Sequence, residues 1–307
     1  MEINDLVIIG GGPGGLNSAL YALRSGLKIK LVEGFVIGGQ LNNTSEIDNY
    51  LGTPGISGAN LGDQMLAHVL QFTDENNIIY ENATTIKKDS DNIFSIELEF
   101  SEPLYAKSVI IATGCTHTIL NLPNETDLEG RGVSYCATCD GAFFKGKDVV
   151  VIGGGNTAIE DALYLSAIAK KVTVIHRRDS LRAESILQER AFSTSNIEFE
   201  WNSSAKMLTG ATKLASVIVE NTKTGVEKEI LADGLFIAIG VSPISPQLIF
   251  DTNILTNDGF IVTKADMSTE ISGLYAIGDI RDKDMRQIIT AMGEGALAAK
   301  EVLNYLN

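Results

Sequence analysis

The stretch Leu6–Gly34, LVIIGGGPGGLNSALYALRSGLKIKLVEG, reads as a short β-branched strand, a glycine turn, an amphipathic helix and a second strand. The same order recurs at Val149–Arg178, VVVIGGGNTAIEDALYLSAIAKKVTVIHRR. In the first copy Gly10, Gly12 and Gly15 make G-x-G-x-x-G; in the second Gly153, Gly155 and Ala158 make G-x-G-x-x-A. The first glycine permits a tight turn, and the second lets backbone approach a pyrophosphate. The third small residue lets helix and strand pack closely, so that the helix N-terminus points at the anion. A single run of this kind is weak evidence. Two copies, each set between a strand and a helix, predict an α/β fold with two Rossmann-like dinucleotide-binding domains.

The ends of the second strands separate the two ligands. The first copy closes on Glu33, eighteen positions after Gly15. A carboxylate there accepts hydrogen bonds from ribose hydroxyls and repels a 2′-phosphate, so the site takes FAD or NAD. The second closes on His176-Arg177-Arg178, with Arg182 expected one helical turn further on. Those guanidinium groups suit a 2′-phosphate through forked, charge-assisted hydrogen bonds, which predicts NADPH. The bland alternative, a solvated basic face, is disfavoured by the fingerprint just upstream.

The whole chain narrows the field further. It has 307 residues, 44% hydrophobic and 21% charged, with a formal net charge of −15. That is enough apolar material for about two domains. The negative balance argues against nucleic acid as a partner, because phosphate binding needs a basic field. No apolar run approaches the roughly 18 to 20 residues of a membrane span. The start, MEINDLVIIGGG, is a poor signal peptide and a good first strand. With only three cysteines, a cytoplasmic location is expected, where a C-x-x-C pair is catalytic or metal-binding rather than a structural staple.

Further motifs follow the first copy in order. KSVIIATG (Lys107–Gly114) and GLYAIGDIRD (Gly273–Asp282) read as buried strands ending in glycine turns. RQIITAMGEGALAAKEVLNYL (Arg286–Leu306) reads as a helix rich in Ala and Gly. Small residues there suit close approach to a flat ligand or to a neighbouring helix, and the helix start near Gln287 could stabilise negative charge on a reduced flavin. Together with GGQLNNTSEIDNY (Gly38–Tyr50), GRGVSYCATCDGAFF (Gly130–Phe144) and HRRDSLRAE (His176–Glu184), these motifs cover nearly the whole chain. The chain resembles the flavoprotein pyridine-nucleotide disulfide oxidoreductases, and among them the low-molecular-weight bacterial thioredoxin reductases.

The resemblance implies a discontinuous FAD domain, residues 1–114 and 243–307, with an inserted NADPH domain, residues 115–242. It implies FAD held by Gly10, Gly12, Pro13, Gly14, Gly15, Glu33, Gly38, Gly39, Gln40, Asn49, Thr113, Gly114, Asp279, Arg286, Gln287 and Ile288. NADPH would be held by Gly153, Gly155, Asn156, Thr157, His176, Arg177, Arg178 and Arg182. A homodimer is implied as well, and the implied activity is electron flow from NADPH through FAD and a Cys136–Cys139 disulfide to thioredoxin. Val241 and Ala142 depart from residues that some relatives carry there.

The chemistry of the cysteines is open on the residues alone. Cys136 and Cys139 offer the small loop that thiol–disulfide exchange uses. Half a zinc site is the alternative, but Cys115, His68, His117 and His176 provide no second ligand pair at metal spacing; no metal is expected. Asp140 beside the pair could move a proton, close a turn or cap a helix; the resemblance implies the acid role. Cys115 reads as a buried small residue. Because Cys139 lies fourteen residues before Gly153, the pair travels with the NADPH domain. Nicotinamide and disulfide would then reach the flavin by turns, through rotation at the crossings near Gly114 and Gly240. Arg131, Phe143 and Phe144 are candidates for the docking surface or for simple packing. Rival readings are an NADPH-dependent flavin reductase serving ferredoxin or a peroxiredoxin system, and a non-enzymatic redox sensor.

Overall fold

Strand β1 (Ile3–Ile9) starts the first sheet, and Leu6 to Ile9 are buried on both faces, as a parallel central strand requires. The structure is a computed structural model that describes residues 2–34, 36–44 and 46–307. Helix α1 (Pro13–Arg24) begins with Pro at its first position and has no side-chain cap, so the amide groups of its first turn have no intrahelical partner. The chain continues through β2 (Ile29–Val32), a 3₁₀ turn at Gly39–Asn43, α2 (Gly58–Val69), β3 (Ile78–Ile79), β4 (Ala83–Lys88), β5 (Phe94–Leu98), β6 (Leu104–Ile111) and β7 (Cys115–His117).

The middle of the chain carries β8 (Val133–Ser134), α3 (Ala137–Asp140), a 3₁₀ turn at Gly141–Phe144, β9 (Asp148–Ile152), α4 (Asn156–Ser166), β10 (Lys171–His176), α5 (Ser185–Ser193) and β11 (Ile197–Trp201). Then come β12 (Ser203–Thr209), β13 (Ser216–Asn221), β14 (Glu227–Leu231) and β15 (Gly234–Ile237). The chain ends with β16 (Val241–Pro243), β17 (Gln247–Ile249), β18 (Leu274–Ala276) and α6 (Ile288–Leu306). It divides into two compact units, one of residues 1–116 and 242–307, the other of residues 117–241. Strands β7 and β16, where the chain crosses, pair with each other.

The first unit has the sheet order β17-β4-β5-β6-β1-β2-β3, with β18 beside β6. Pairs β1/β2, β1/β6, β2/β3 and β6/β18 are parallel, and β4/β5 and β5/β6 antiparallel. Alternate side chains of β1 feed two cores. Leu6 and Ile8 join Leu16, Ala19, Ile110, Ala298 and Val302, while Val7 and Ile9 join Ile96, Val109, Ile111 and Ala276. The small residues of α6 have a packing role. A Cβ on Gly295 would run into the Gly14 carbonyl of α1 and lie 3.1 Å from the Ser18 nitrogen.

The second unit holds a parallel sheet of order β11-β10-β9-β15-β8 and an antiparallel sheet β12-β13-β14. Val149, Val151, Ala158, Ala162, Val174 and Phe236 form one core, and Val150, Ile152, Ile175, Val217 and Leu235 another. Among the described residues no helix is long and apolar enough to cross a membrane.

Candidate cofactor and redox sites

The three glycines of the first loop have different physical reasons. Gly10 has φ +110°, a region that L-residues rarely enter, and a Cβ on Gly15 would collide with the Gly10 carbonyl. Packing therefore demands both. Gly12 has an ordinary φ of −74°, and the nearest atom to a Cβ there would be the Gly38 carbonyl oxygen at 4.0 Å. Neither strain nor contact explains Gly12, whereas open space in front of a helix N-terminus suits a phosphate. At the end of β2, Glu33 Oε2 accepts the Gly11 N–H at 2.7 Å, and the Gly38 N–H donates to the Gly11 carbonyl at 2.9 Å. Glu33 and Gly38 are thereby fastened to the loop.

The remaining residues predicted for this site gather within the same unit. Gln40 donates to the Cys115 carbonyl, and the Thr113 hydroxyl donates to the Ile244 carbonyl. Asn49 Nδ2 donates to Gln287 Oε1 at 3.0 Å. Gln287 caps α6, whose first residue is Ile288. Arg286 lies 4.7 Å over the Phe260 ring and donates to the Asp279 and Arg281 carbonyls, each at 3.4 Å. Asp279 Oδ1 is buried without a hydrogen-bond partner. Burial pushes the Asp279 carboxyl up, against the pull of Lys283 and Arg286. The Cys115 thiol, 2% exposed, is pushed up to about 11 by burial and then by the Asp279 carboxylate, which leaves it a poor nucleophile at neutral pH. A glycine cradle, a carboxylate at the strand end and an orphaned acceptor fit the diphosphate, ribose and ribityl hydroxyls of FAD.

The second loop repeats the logic with one exchange. Gly153 has φ +154°, and a Cβ on it would lie 2.5 Å from the Ala158 methyl. The alanine fits because Gly153 leaves room. Gly155, at φ −93°, again faces open space, with no atom within 4 Å of its Cβ position. His176 ends β10, 6% exposed, its ring beneath Gly154 and its Nε2 without a partner. Burial holds its pKa down, and Arg182 and Arg178 add to that effect. Arg177, Arg178 and Arg182 are exposed.

The expected helical turn between Arg178 and Arg182 is absent, since residues 177–184 are irregular. Arg182 is brought to the loop by backbone instead. Its N–H donates to the Gly154 carbonyl at 2.7 Å, while Leu181 is buried beside it. Asn156 and Glu184 close the same corner with reciprocal bonds of 3.1 and 2.9 Å, and Thr157 is exposed at the start of α4. Glycines, an orphaned imidazole nitrogen and three exposed guanidinium groups fit NADPH.

Cys136 and Cys139 form a disulfide. Cys136 precedes α3, and its sulfur accepts the Cys139 N–H at 3.2 Å. Asp140 ends α3 but makes no side-chain cap bond, so the capping role is not the one it plays. Its Oδ2 accepts the Ser134 hydroxyl at 2.6 Å, and Ser134 Oγ accepts the Cys136 N–H at 3.1 Å. Burial pushes the Asp140 carboxyl up, while the Ser134 bond opposes it.

Residues 4–295 match the pyridine nucleotide-disulphide oxidoreductase family. The chain belongs to that family. The thioredoxin reductase of Bacillus subtilis (strain 168) is 42% identical over 99% of this chain and 95% of its own length. The crystal structure of thioredoxin reductase from Streptococcus pyogenes MGAS5005 is 44% identical, with a TM-score of 0.93 over 99% of this chain and 98% of that one. The thioredoxin reductase from Giardia duodenalis, 32% identical, also has a TM-score of 0.93, over 100% and 99% of the two chains.

Beside the predicted residues of this pyridine nucleotide-disulphide oxidoreductase, the structure places several others that the motifs do not single out. Ser134 is one, and its adjacency to the C-x-x-C was the only signal available. Glu125 is another, 2% exposed, accepting the Leu120 and Leu122 amides and the Tyr135 hydroxyl and so bracing the strand before Cys136. Arg281, Lys283 and Glu294 form a nearly buried charge cluster beside Asp279; an acid inside the small-residue stripe of α6 was its signal. Of the two readings open for the Phe143–Phe144 pair, packing applies to Phe144. Phe144 is 9% exposed and packs edge-on against Phe236 at 5.3 Å, whereas Phe143 is 40% exposed.

Proposed function

We propose that this chain is an NADPH-dependent reductase of thioredoxin disulfides, with FAD as its resident cofactor. The observation that carries the reading is the Cys136–Cys139 disulfide, held in one compact unit with the arginine-flanked dinucleotide loop. The residues named below would hold FAD, which when bound would supply the two-electron chemistry that links a hydride donor to a disulfide. The unit of residues 1–116 and 242–307 is assigned to FAD, through the Gly10–Gly15 loop, Glu33, Gly38–Gln40, Asn49, Thr113, Gly114, Asp279 and Arg286–Ile288. The unit of residues 117–241 is assigned to NADPH, through Gly153, Gly155, Asn156, Thr157, His176, Arg177, Arg178 and Arg182. The disulfide and the residues proposed for NADPH lie in the same unit.

The chain's own residues account for the exchange chemistry. Reduction breaks the Cys136–Cys139 bond and leaves two sulfurs that need one proton each. Asp140, with its carboxyl raised by burial and tied through Ser134 to the Cys136 N–H, is placed to hold and return such a proton. The Cys139 N–H aimed at Cys136 Sγ favours negative charge on that sulfur, and a thiolate is the form that attacks a disulfide. The attack forms a mixed disulfide with thioredoxin, and the second cysteine then releases the partner as a dithiol. Arg131 and the exposed Phe143 are the proposed docking residues.

Association of two copies is proposed through the apolar face between α1 and α6. There Tyr21, Ser25, Ala296, Leu297, Lys300 and Leu303 line an open pocket of about 410 Å³. A cytoplasmic location is part of the same proposal, since the exchange needs a reducing supply of NADPH. The test is a flavin spectrum of the purified protein followed by thioredoxin-dependent NADPH oxidation. Cys139→Ser should keep the flavin and lose the thioredoxin-dependent rate. Full activity in that variant would sink the mechanism, and NADPH binding without turnover by any thioredoxin would favour the sensor reading.

A further inference from the structure

Beside the Gly278–Asp279 turn lies a charge cluster that the proposed chemistry does not use. Glu294 projects from α6 with its side chain 12% exposed. Its Oε2 accepts the Gly278 N–H at 2.6 Å. Its Oε1 faces two cations, Arg281 Nη1 at 2.8 Å and Lys283 Nζ at 3.1 Å. Lys283, 10% exposed, also lies 3.6 Å from Asp279 Oδ1. At that distance the two form an ion pair longer than a full charge-assisted hydrogen bond, and Asp279 Oδ1 is buried with no shorter partner.

The other cations near Asp279 are committed elsewhere. Arg281 Nε donates to Thr263 Oγ1 at 2.6 Å. Arg286 stacks on Phe260 and donates to carbonyls. Lys283 is therefore the one cation of this cluster placed to occupy Asp279 Oδ1, and Glu294 holds it back. We infer that Glu294 is a positioning residue for FAD, which by retaining Lys283 keeps Asp279 Oδ1 available to a hydroxyl of the cofactor. The inference rests on the reading of Asp279 as an FAD ligand. Without the Glu294 charge, Lys283 needs to move less than an ångström to reach the roughly 2.8 Å of a charge-assisted bond to Asp279. The cofactor would then have to displace it.

The test is FAD affinity, measured by quenching of flavin fluorescence as the full-length apoprotein is reconstituted. Glu294→Gln keeps an amide oxygen for the Gly278 N–H and removes the charged acceptor that faces Arg281 and Lys283. It should weaken FAD binding roughly ten- to a hundredfold, the range of one hydrogen bond to a charged group. Adding Lys283→Met to that variant should restore affinity to within about threefold of wild type, because the competitor is gone. A purely structural role for Glu294 gives no such rescue. Unchanged affinity in Glu294→Gln, or a double variant no tighter than the single one, overturns the inference. Lys283→Met alone, which leaves the Gly278 bond intact, should bind FAD at least as well as wild type; weaker binding also overturns it. Asp279→Asn separates the two levels: if it binds FAD normally, the reading of Asp279 itself fails, and if it alone weakens binding, only the role of Glu294 does.

Discussion

Phe143 and Phe144 are neighbours in sequence with opposite surroundings, so truncating each to alanine should damage different properties. The Phe144 ring meets Phe236 edge-on at 5.3 Å, lies 5.4 Å beneath the Lys147 ammonium, and fills the space that Gly234 leaves by lacking a Cβ. Phe-to-Ala truncation in a core costs about 3–5 kcal/mol, and the aromatic pair alone is worth about 0.5–1.5 kcal/mol; we expect about 4 kcal/mol. Phe143, already 40% exposed, has less burial to lose, on the order of 1 kcal/mol. With a urea dependence of about 2 kcal/mol per molar, the unfolding midpoint should fall by about 2 M for Phe144→Ala and about 0.5 M for Phe143→Ala. Trp201, the single tryptophan of the chain, lies in the same unit as both residues and reports the transition by fluorescence. In steady-state assays Phe143→Ala should raise KM for thioredoxin roughly ten- to thirtyfold with kcat little changed, the signature of a lost interface anchor. Equal midpoints for the two variants, or an unchanged KM in Phe143→Ala, would refute the assignment of one ring to the core and the other to docking.

Ser134→Ala removes the donor that opposes burial at Asp140. The carboxyl then stays protonated to higher pH, and the alkaline limb of the pH–rate profile should move upward. Glu129, which couples to Asp140, and Glu160, Asp161 and Tyr164 of the adjacent α4 are unchanged in the variant, so a stationary limb speaks against the proton role. Gly15→Ala forces a methyl into the Gly10 carbonyl and should yield protein without bound flavin, as absorbance near the flavin bands will report. Ala158→Gly, which loses a buried methyl and adds a glycine to the interior of α4, should cost about 2 kcal/mol in urea unfolding. Arg177→Ala with Arg178→Ala should weaken NADPH binding by at least roughly tenfold while sparing NADH. Trp201, whose ring lies 6.4 Å from that of His176, offers the titration signal, and equal losses for both nucleotides would count against 2′-phosphate recognition.

Local chemistry made much of this protein legible before any tertiary contact was known. A strand, a glycine turn and a helix are set by residues adjacent in the chain, so Gly10–Gly15 and Gly153–Ala158 could be placed in their turns from spacing alone. The C-x-x-C pair is equally local, and its disulfide closes within one turn of chain. The helical turn expected between Arg178 and Arg182 does not form, because the backbone there instead folds back to the Gly154 carbonyl. Phe143 and Phe144 look alike in sequence, and only the position of Gly234 and Phe236 decides which is core.

Ser134 and Glu294 belong to the same class of fact. A serine two residues before a cysteine carries no sign that its hydroxyl will meet Asp140, and an acid in a small-residue helix does not declare its partners. Their roles depend on which donors and acceptors burial brings within about 3 Å, and burial is a property of the packed sheet rather than of any segment. By itself, then, the sequence determined the two nucleotide loops and the redox pair, because covalent neighbours build them. The tertiary structure alone decided how the carboxylates beside them are held, because desolvation and charge pairing depend on which side chains packing brings together, whatever their spacing in the chain.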